Sequence, residues 1–438
     1  MMPGAQIAAS IELLESVEAA WSQGRAAPVD SMMGDYFRKR RFMGAKDKGF
    51  ISRRVYAVLR QGGSLQWQVE QNGLKVSPRA MVLATLVLNE KHPFDSLDSW
   101  FSGTGYDPAP LKDAERKFIQ FGSSTDLTAM PDWMRLNIPE WSYPILKNAF
   151  PDTFEEEIAA LNKEAPMDLR VNTLKANRQY AKERLKSEGF DATPTPHSPW
   201  GLRLDKRGAI FATETFKKGL VEVQDEGSQL AALLVDAKPG QKVIDFCAGA
   251  GGKTLAIAAM MENKGRILAW DTSETRLEQS PKRFRRADAH NIERHLITSE
   301  TDQYIKRHKD SADRVLIDAP CSGSGTWRRN PDLKWRFKPE DLEGIRVSQQ
   351  SILKSASRLV KNGGKLIYVT CSLFPEENED QVNQFLTENL HFRVVTPAEI
   401  WDKGSPLIID NKAPFFRLTP NQHKTDGFFI AILEKTAS

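Results

Sequence analysis

Apolar residues recur at helical spacing in the first quarter of the chain. One stripe consists of Ile7, Ile11, Leu14 and Val17, which lie three or four residues apart. This spacing is typical of the buried face of an amphipathic helix. The segments 49–60 and 78–92 show the same periodicity, and the pattern then thins where glycine, proline and aspartate accumulate. We therefore predict a helical N-terminal domain over residues 1–125.

The next part of the chain mixes strand and helix patterns. Residues 168–175 read as a short strand, residues 177–189 as a helix that ends on a glycine, and residues 190–204 as a loop leading into another strand. Such a mixture in fewer than 100 residues indicates a small α+β module. We place this module at residues 126–218.

Short apolar runs alternate with helical stretches from residue 219 to residue 438. The candidate strands are 242–247, 266–271, 294–298, 314–319 and 365–370. This alternation is typical of an α/β fold whose parallel sheet carries helices on both faces. Two further runs, 392–397 and 427–435, have no long helix between them and predict an antiparallel hairpin at the edge of the sheet.

Composition excludes several classes of protein. Hydrophobic residues make up 40% and charged residues 27% of the chain, as in ordinary globular proteins. The apolar run 81–88 is far too short to cross a bilayer. The first residues carry acids where a signal peptide needs an apolar core, so we expect a cytoplasmic protein without a membrane partner. The net charge of +4 permits a nucleic-acid partner without requiring one.

The chain contains the three cysteines Cys247, Cys321 and Cys371. An odd and widely spaced set is neither a disulfide framework nor a zinc site, so we expect a reducing compartment and no metal. Cys247 lies at the end of a candidate strand, where a small buried group is the simplest interpretation. The other two follow strands in turns of small and polar residues, where open α/β sheets bind ligands.

A glycine-rich turn, 245-DFCAGAGGKT-254, follows the first candidate strand of the sheet. Glycines at such a position let the backbone approach a ligand. A nucleoside-triphosphate loop fits at Gly252 and Thr254, but position 247 is cysteine instead of glycine. A dinucleotide fingerprint requires a glycine where Thr254 stands. The turn also fits an adenosine ligand without a pyrophosphate, or a tight strand-to-helix connection that binds no ligand.

Asp271 helps to choose among these ligands. It closes the second candidate strand 19 residues after Gly252, where an acid holds ribose hydroxyls in nucleotide-binding sheets. The alternative is a helix-capping aspartate, since Ser273 and Glu274 follow. Turn and acid together favour an adenosine cofactor at the carboxyl ends of the strands.

Cys321 and Cys371 follow the fourth and fifth candidate strands of this sheet. If those strands are parallel and adjacent, both thiols reach the same edge of the sheet. A helix beginning at Pro375 would lower the pKa of Cys371, and the acids in 376–380 would oppose that shift.

Five strings resemble motifs of the S-adenosylmethionine-dependent RNA (cytosine-5) methyltransferases of the NOL1/NOP2/Sun family. They are 169-LRVN-172, 223-VQDEGSQLAA-232, 245-DFCAGAGGKT-254, 318-DAPCSGSG-325 and 370-TCSLFPEENE-379. They occur in the family's order, and the resemblance covers about residues 130 to 435. It implies a Rossmann-like methyltransferase domain over 219–438 and an RNA-binding role for the α+β module, and it extends more weakly to an RNA-binding N-terminal domain.

The resemblance also assigns chemistry to these strings. A thiolate that adds to carbon 6 of cytosine makes carbon 5 nucleophilic enough to accept a methyl group. Cys371 is the implied nucleophile, Cys321 assists product release, and Asp318 contacts the base edge. Lys253 is expected to reach the cofactor or the base, with an exposed helix lysine as the alternative.

The implied cofactor is S-adenosylmethionine, with Asp271 on its ribose and Asp318 beside it. The residues of the glycine-rich turn that would surround it are Cys247, Ala248, Gly249, Ala250, Gly251, Gly252 and Lys253. The chain departs from the family after the third strand, where an Asp-Gly pair usually lies near the adenine. Ser299 stands at the acid position, with Glu300 and Asp302 close by.

The implied substrate is RNA, with 16S ribosomal RNA first and transfer RNA second. The implied RNA contacts are Arg170, Asn172, Arg328 and Arg329. The basic runs 38–41 and 282–286 fit phosphate contacts as well as they fit solvated faces. Trp327 and Trp335 are candidates for base stacking or for core packing. We expect a monomer, and a non-catalytic RNA-binding assembly factor is the rival from another class.

Overall fold

The computed structural model describes residues 1–24, 27–400 and 413–436. The described residues form two units, one from the ranges 1–162 and 327–338 and the other from the range 163–326 and from the described part of 339–438. The domain boundaries at residues 125 and 218 stay predictions. None of the described helices combines the length and the apolarity needed to cross a membrane.

The first unit is helical. Its helices are α1 (Pro3–Ser22), α2 (Val29–Lys39), α3 (Ala45–Arg60), α4 (Gly62–Gln71), α5 (Pro78–Ala84), α6 (Phe94–Trp100), α7 (Asp113–Phe121), α8 (Asp132–Arg135), α9 (Ser142–Ala149) and α10 (Phe154–Leu161). The predicted stripe of α1 is confirmed, since Ile7, Ile11, Leu14 and Val17 are all buried in the core of this unit. Pro3 suits the first turn of α1, where its missing N–H costs no hydrogen bond.

The segment 327–338 anchors itself in the helical unit through Lys334. The Lys334 ammonium is 1% exposed and donates hydrogen bonds to the carbonyls of Arg60 (2.9 Å) and Asn137 (2.7 Å) and to Oδ1 of Asn162 (2.8 Å). Burial lowers the pKa of Lys334 well below its usual value. Trp335 packs against the same helical core, so core packing is the role that the structure gives it.

The second unit begins with a small antiparallel sheet. Its strands are β1 (Met167–Val171), β2 (Ala192–Pro194), β3 (Gly201–Leu204) and β4 (Val221–Val223), in the order β2-β3-β1-β4 among the described residues. The helices α11 (Arg178–Ser187) and α12 (Glu214–Lys217) belong to the same stretch. The predicted strand, helix, loop and strand are thereby confirmed, and β2 lies within the predicted loop.

The rest of the second unit is built on a large sheet. Its strands are β5 (Lys242–Asp245), β6 (Arg266–Asp271), β7 (Ile292–Leu296), β8 (Ala312–Asp318), β9 (Val360–Thr370), β10 (Phe392–Val394), β11 (Phe416–Leu418) and β12 (Phe428–Lys435). The helices are α13 (Glu226–Leu233), α14 (Gly252–Met260), α15 (Glu274–Leu277), α16 (Ser280–Ala287), α17 (Gln303–Lys306), α19 (Pro339–Ser357), α20 (Glu379–Glu388), α21 (Pro397–Ile400) and α22 (Pro420–His423), while α18 (Leu333–Arg336) lies in the segment of the first unit.

The strand order of the large sheet determines where the candidate catalytic residues lie. Among the described residues the strands run β10-β12-β9-β8-β5-β6-β7, with β11 paired to β12. β5 to β9 are parallel, and β12 is antiparallel to β9, so the predicted α/β fold is confirmed. β8 and β9 are neighbours, which brings the turns after them to one edge. The predicted hairpin partners β10 and β12 do pair, and β11 was not predicted from the sequence.

Candidate active site

A cavity of about 730 Å³ opens at the carboxyl ends of β5, β6, β8 and β9. Its lining includes most of the predicted catalytic and cofactor residues: Cys247, Ala248, Gly249, Ala250, Gly252, Lys253, Asp271, Asp318, Cys321 and Cys371. It also includes Gln224, Arg283 and Glu300, which the sequence analysis did not assign to the cofactor. The sheet therefore collects side chains from distant parts of the chain around one space.

Two glycines shape the turn above β5. Gly249 and Gly251 have φ angles of 55° and 80°, a region that side-chain-bearing residues rarely adopt. A Cβ on Gly251 would lie 2.4 Å from the Phe284 ring, whereas a Cβ on Gly249 would meet no protein atom within 4 Å. Gly251 is thus required for packing, and Gly249 leaves open space beside the cavity. That space suits a ligand that approaches the backbone closely.

Two arginines donate hydrogen bonds to backbone carbonyls of the glycine-rich turn. The Arg170 guanidinium is buried and donates hydrogen bonds to the Gly252 carbonyl (2.6 Å) and to Oε1 of Gln224 (2.5 Å). Arg283 donates to the Ala250 carbonyl at 2.8 Å. Burial lowers the pKa of Arg170 to about 10. These contacts fix the turn before any ligand binds.

Asp271 joins the glycine-rich turn to the end of β6. Its Oδ2 accepts a hydrogen bond from the Gly249 N–H at 2.7 Å, and its Oδ1 accepts one from the Ser273 N–H at 2.7 Å. Ser273, not Asp271, caps α15 by accepting from the Arg276 N–H. The helix-capping alternative for Asp271 is therefore wrong. The carboxylate lies on the cavity lining, where it offers acceptors for hydroxyl groups.

Cys247 serves as a small half-buried group on the same lining. It packs against the hydrophobic core of the sheet. Burial, followed by the negative charge of Asp271, raises the pKa of its thiol well above the usual value. Cys247 is therefore a neutral thiol, and it is half-buried on the cavity lining where the sequence predicted a small buried group.

The sulfurs of Cys321 and Cys371 lie 3.3 Å apart. Both side chains are half-buried free thiols on the cavity lining. The predicted convergence of these thiols at one edge of the sheet is confirmed. The hydrogen bond to Cys371, and then burial, raise the pKa of the Cys321 thiol well above its usual value. Cys321 is therefore protonated near neutral pH while its neighbour is unmodified.

A buried glutamate ties the two cysteine turns together. Glu377 is fully buried, and its carboxylate accepts a hydrogen bond from the Ser322 N–H at 2.8 Å and from the hydroxyls of Ser322 and Ser372. Gln349 donates to it at 3.2 Å. Ser322 and Ser372 each follow one of the two cysteines. Glu377 therefore holds the two turns together and, with them, the spacing of the two thiols.

The turn after Cys371 differs from the predicted helix start. Pro375 begins a one-turn 3₁₀ helix that ends at Glu377, and α20 begins only at Glu379. A helix therefore does begin at Pro375, but it is a single 3₁₀ turn, and this tight turn aims the Glu377 side chain inward at the serines. The acids within 376–380 look alike in the sequence, so the sequence does not show which of their side chains is buried.

Lys253 and Asp318 form an ion pair on the cavity lining. The distance from Nζ of Lys253 to Oδ2 of Asp318 is 2.6 Å. Lys253 is 8% exposed, so the alternative of an exposed helix lysine is wrong. The Asp318 side chain is 36% exposed and stays accessible. The pair places a carboxylate and an ammonium on the lining of the cavity that also contains the two thiols.

The region assigned to the adenine offers a different acid from the one the motif predicts. Ile297 and Glu300 line the cavity. Glu300 accepts a hydrogen bond from the Ser351 hydroxyl at 2.7 Å, and Asp302 instead caps α17. Glu300 thus places a carboxylate on this part of the cavity lining, which Ser299 does not reach.

The arginines and the asparagine predicted to bind RNA have protein surroundings. Arg170 holds the glycine-rich turn, and Asn172 is 4% exposed and donates to the carbonyls of Gly219 (3.0 Å) and Ala287 (2.7 Å). This burial does not support an RNA contact by either residue. Arg328 is buried within the first unit and Arg329 is half-buried there.

Replacing Glu377 by glutamine is expected to lower the pKa of Cys321. The buried charge of Glu377 is one cause of the raised pKa, so its loss should move the onset of Cys321 alkylation by iodoacetamide to lower pH. Peptide mass spectrometry across a pH series measures this onset. The control is D380N, which removes an exposed charge from α20. An unchanged alkylation profile in E377Q would contradict the assigned electrostatic role.

Comparison with known proteins gives a consistent set of relatives. Residues 232–434 match the family described as 16S rRNA methyltransferase RsmB/F, and residues 138–211 match the RsmF/B-like ferredoxin-like domain. The probable ribosomal RNA small subunit methyltransferase B of Synechocystis sp. is 32% identical over 415 residues, which cover 89% of this chain and 91% of that protein. The ribosomal RNA small subunit methyltransferase B of Pasteurella multocida is 31% identical over 74% of this chain and 70% of its own length.

The crystal structure of PH0851 resembles this fold over 99% of both chains, with a TM-score of 0.78 and 27% identity.

Proposed function

Since the chain belongs to the RsmB/F family of ribosomal RNA small-subunit methyltransferases, we propose that it methylates carbon 5 of a cytosine in 16S ribosomal RNA with S-adenosylmethionine as the donor. The family resemblance that the five motifs indicate is confirmed. The observation that carries the cytosine-5 chemistry is the 3.3 Å separation of the Cys321 and Cys371 sulfurs beside a cavity bounded by a glycine-rich turn.

The residues around the cavity fit the proposed cofactor. The open space at Gly249 admits a ligand against the backbone, and the Asp271 carboxylate supplies acceptors for ribose hydroxyls. Ile297 and Glu300 would border the adenine. When bound, S-adenosylmethionine supplies a methyl group on a positively charged sulfur. The contribution of the protein is to hold this electrophile over the cysteine edge of the sheet.

Cys371 acts as the nucleophile in this proposal. Its thiolate forms a bond to carbon 6 of the cytosine, and the electron pair of the 5,6 double bond becomes available at carbon 5 for bond formation with the methyl group. Asp318, fixed by Lys253 at 2.6 Å, hydrogen-bonds the base edge near ring nitrogen 3. Phosphate contacts hold the RNA while the base is unstacked.

Release of the methylated base requires two changes at one ring. Cys321, as the thiolate, takes the proton from carbon 5 and becomes a thiol, the resulting electron pair restores the 5,6 double bond, and the bond between Cys371 and carbon 6 breaks with its electrons returning to sulfur. The sulfur of Cys321 is near enough to Cys371 to reach the same ring. A transfer RNA substrate is the runner-up, and retention of both thiols disfavours a non-catalytic assembly factor.

Replacing Asp271 by asparagine is expected to weaken S-adenosylmethionine binding by about tenfold to a hundredfold, since a hydrogen bond to a charged group is worth roughly 1.5–3 kcal/mol. The amide would set a donor against the N–H of either Gly249 or Ser273 and disturb the turn. Isothermal titration measures the dissociation constant, with E274Q on α15 as the control. Equal affinities for D271N and the unaltered protein would contradict the ribose assignment.

The function itself is tested with labelled S-adenosylmethionine and in vitro transcribed 16S ribosomal RNA, followed by bisulfite sequencing of the product. We expect label in the RNA and one protected cytosine. Label that appears only in transfer RNA would favour the runner-up, and label at a base other than cytosine would refute the proposed chemistry.

A further inference from the structure

A second cavity in the same unit, of about 800 Å³, is strongly cationic. Its charged lining residues, apart from His391, are Lys309, Asp310, Lys354, Arg358, Lys361 and Lys435. Five cations and one carboxylate leave four net positive charges, as many as the formal net charge of the whole 438-residue chain. These residues give the cavity a local excess of positive charge, and we call it the basic cleft.

The ion pairs of the basic cleft leave much of its charge available. Asp310 contacts Lys435 at 2.6 Å and Lys309 at 3.8 Å, and Lys361 pairs with Asp313. Within the described ranges, Lys354 and Arg358 have no ion pair and are exposed. The C-terminus of α19 favours cations near Lys354 and Arg358. The helix dipole does not account for Lys309, Lys361 and Lys435, which come from other segments of the chain.

The basic cleft lies at the opposite edge of the sheet from the thiols. Asp310 precedes β8 and Lys361 lies at the start of β9, whereas Cys321 and Cys371 follow the other ends of these strands. The seven residues of β8 separate the two edges by roughly 20 Å at about 3.3 Å per residue. A ligand of the basic cleft therefore does not share the cofactor cavity.

We propose that the basic cleft binds backbone phosphates of the substrate RNA at a distance from the reacting cytosine. This inference rests on the proposed function and refines its substrate class to a large folded RNA that reaches both edges of the sheet. Lysine and arginine side chains recognise phosphate without reading sequence, so the basic cleft would contribute affinity and orientation.

The test is the variant K309E/K354E/R358E, which avoids Lys361 and Lys435 because these two hold the short ion pairs, whereas Lys309 is exposed and only 3.8 Å from Asp310. With in vitro transcribed 16S ribosomal RNA, we expect the KM to rise at least tenfold while kcat at saturating RNA stays within twofold. The slope of log affinity against log salt should become less steep by about 2 to 3, since each phosphate contact contributes roughly 0.7–0.9.

The control is K309R/K354R/R358K, which conserves charge at the same positions and should behave like the unaltered enzyme. If the reversed variant keeps the KM and the salt slope of the unaltered enzyme, the inference is overturned while the proposed function stands. A fall in kcat without a change in KM also overturns it, because the cleft would then act through the fold. An unaltered enzyme that methylates no RNA overturns the proposed function together with this inference.

Discussion

Replacing Cys371 by alanine is expected to reduce methyl transfer to RNA by at least about 10⁴-fold, the scale on which loss of a covalent nucleophile is felt. Without the Cys371 sulfur the proposed bond to carbon 6 cannot form, and burial and the charge of Glu377 still raise the pKa of the remaining Cys321 thiol, which makes it a poor substitute. Incorporation of labelled methyl groups into 16S ribosomal RNA under single-turnover conditions measures the loss.

The same variant separates chemistry from binding. Alanine leaves the glycine-rich turn, Asp271 and the Glu377 contacts in place, because the Cys371 side chain makes none of them. The melting temperature and the affinity for S-adenosylmethionine should therefore stay close to those of the unaltered protein. Appreciable turnover in C371A would show that another group adds to the base, and the assignment of the nucleophile would be abandoned.

The convergence of the two thiols was predictable because it follows from topology. Residues that come directly after adjacent parallel strands lie at one edge of the sheet, and the apolar runs before Cys321 and Cys371 identify such strands in the sequence. The same rule places the glycine-rich turn and Asp271. Neither prediction needs knowledge of side-chain packing.

The buried polar contacts were not predictable, because tertiary packing decides them. Arg170 reads as a cation available for phosphate, but its partners Gln224 and Gly252 come from segments 54 and 82 residues away. Trp335 fits base stacking as well as core packing in the sequence, and only the structure shows that it packs against the helical core of the first unit. The local sequence identifies a charged or aromatic side chain, but it does not show which distant residues will bury that side chain.

The contact between the thiols gives Cys321 a protonation state that depends on its neighbour. Its raised pKa is due first to the hydrogen bond with Cys371 and then to burial. Once the sulfur of Cys371 is bonded to carbon 6, it can no longer share a proton with Cys321 or carry a charge beside it, which removes two of the causes that raise this pKa. The proposed mechanism needs Cys321 as a base only at this step, when burial and Glu377 still raise its pKa but Cys371 no longer does.

Replacing Cys321 by alanine is therefore expected to trap the enzyme on its methylated product. The adduct forms through Cys371 but cannot lose the proton on carbon 5, so the bond between protein and RNA persists through denaturation. A denaturing gel with methyl-labelled RNA should show a band that migrates more slowly than the free protein and is removed by ribonuclease. The double variant C321A/C371A should give no such band, since it has no sulfur to bond to carbon 6. Turnover of C321A at the unaltered rate without any slow band would mean that another group removes the proton from carbon 5. The assignment of Cys321 as the base would then be wrong.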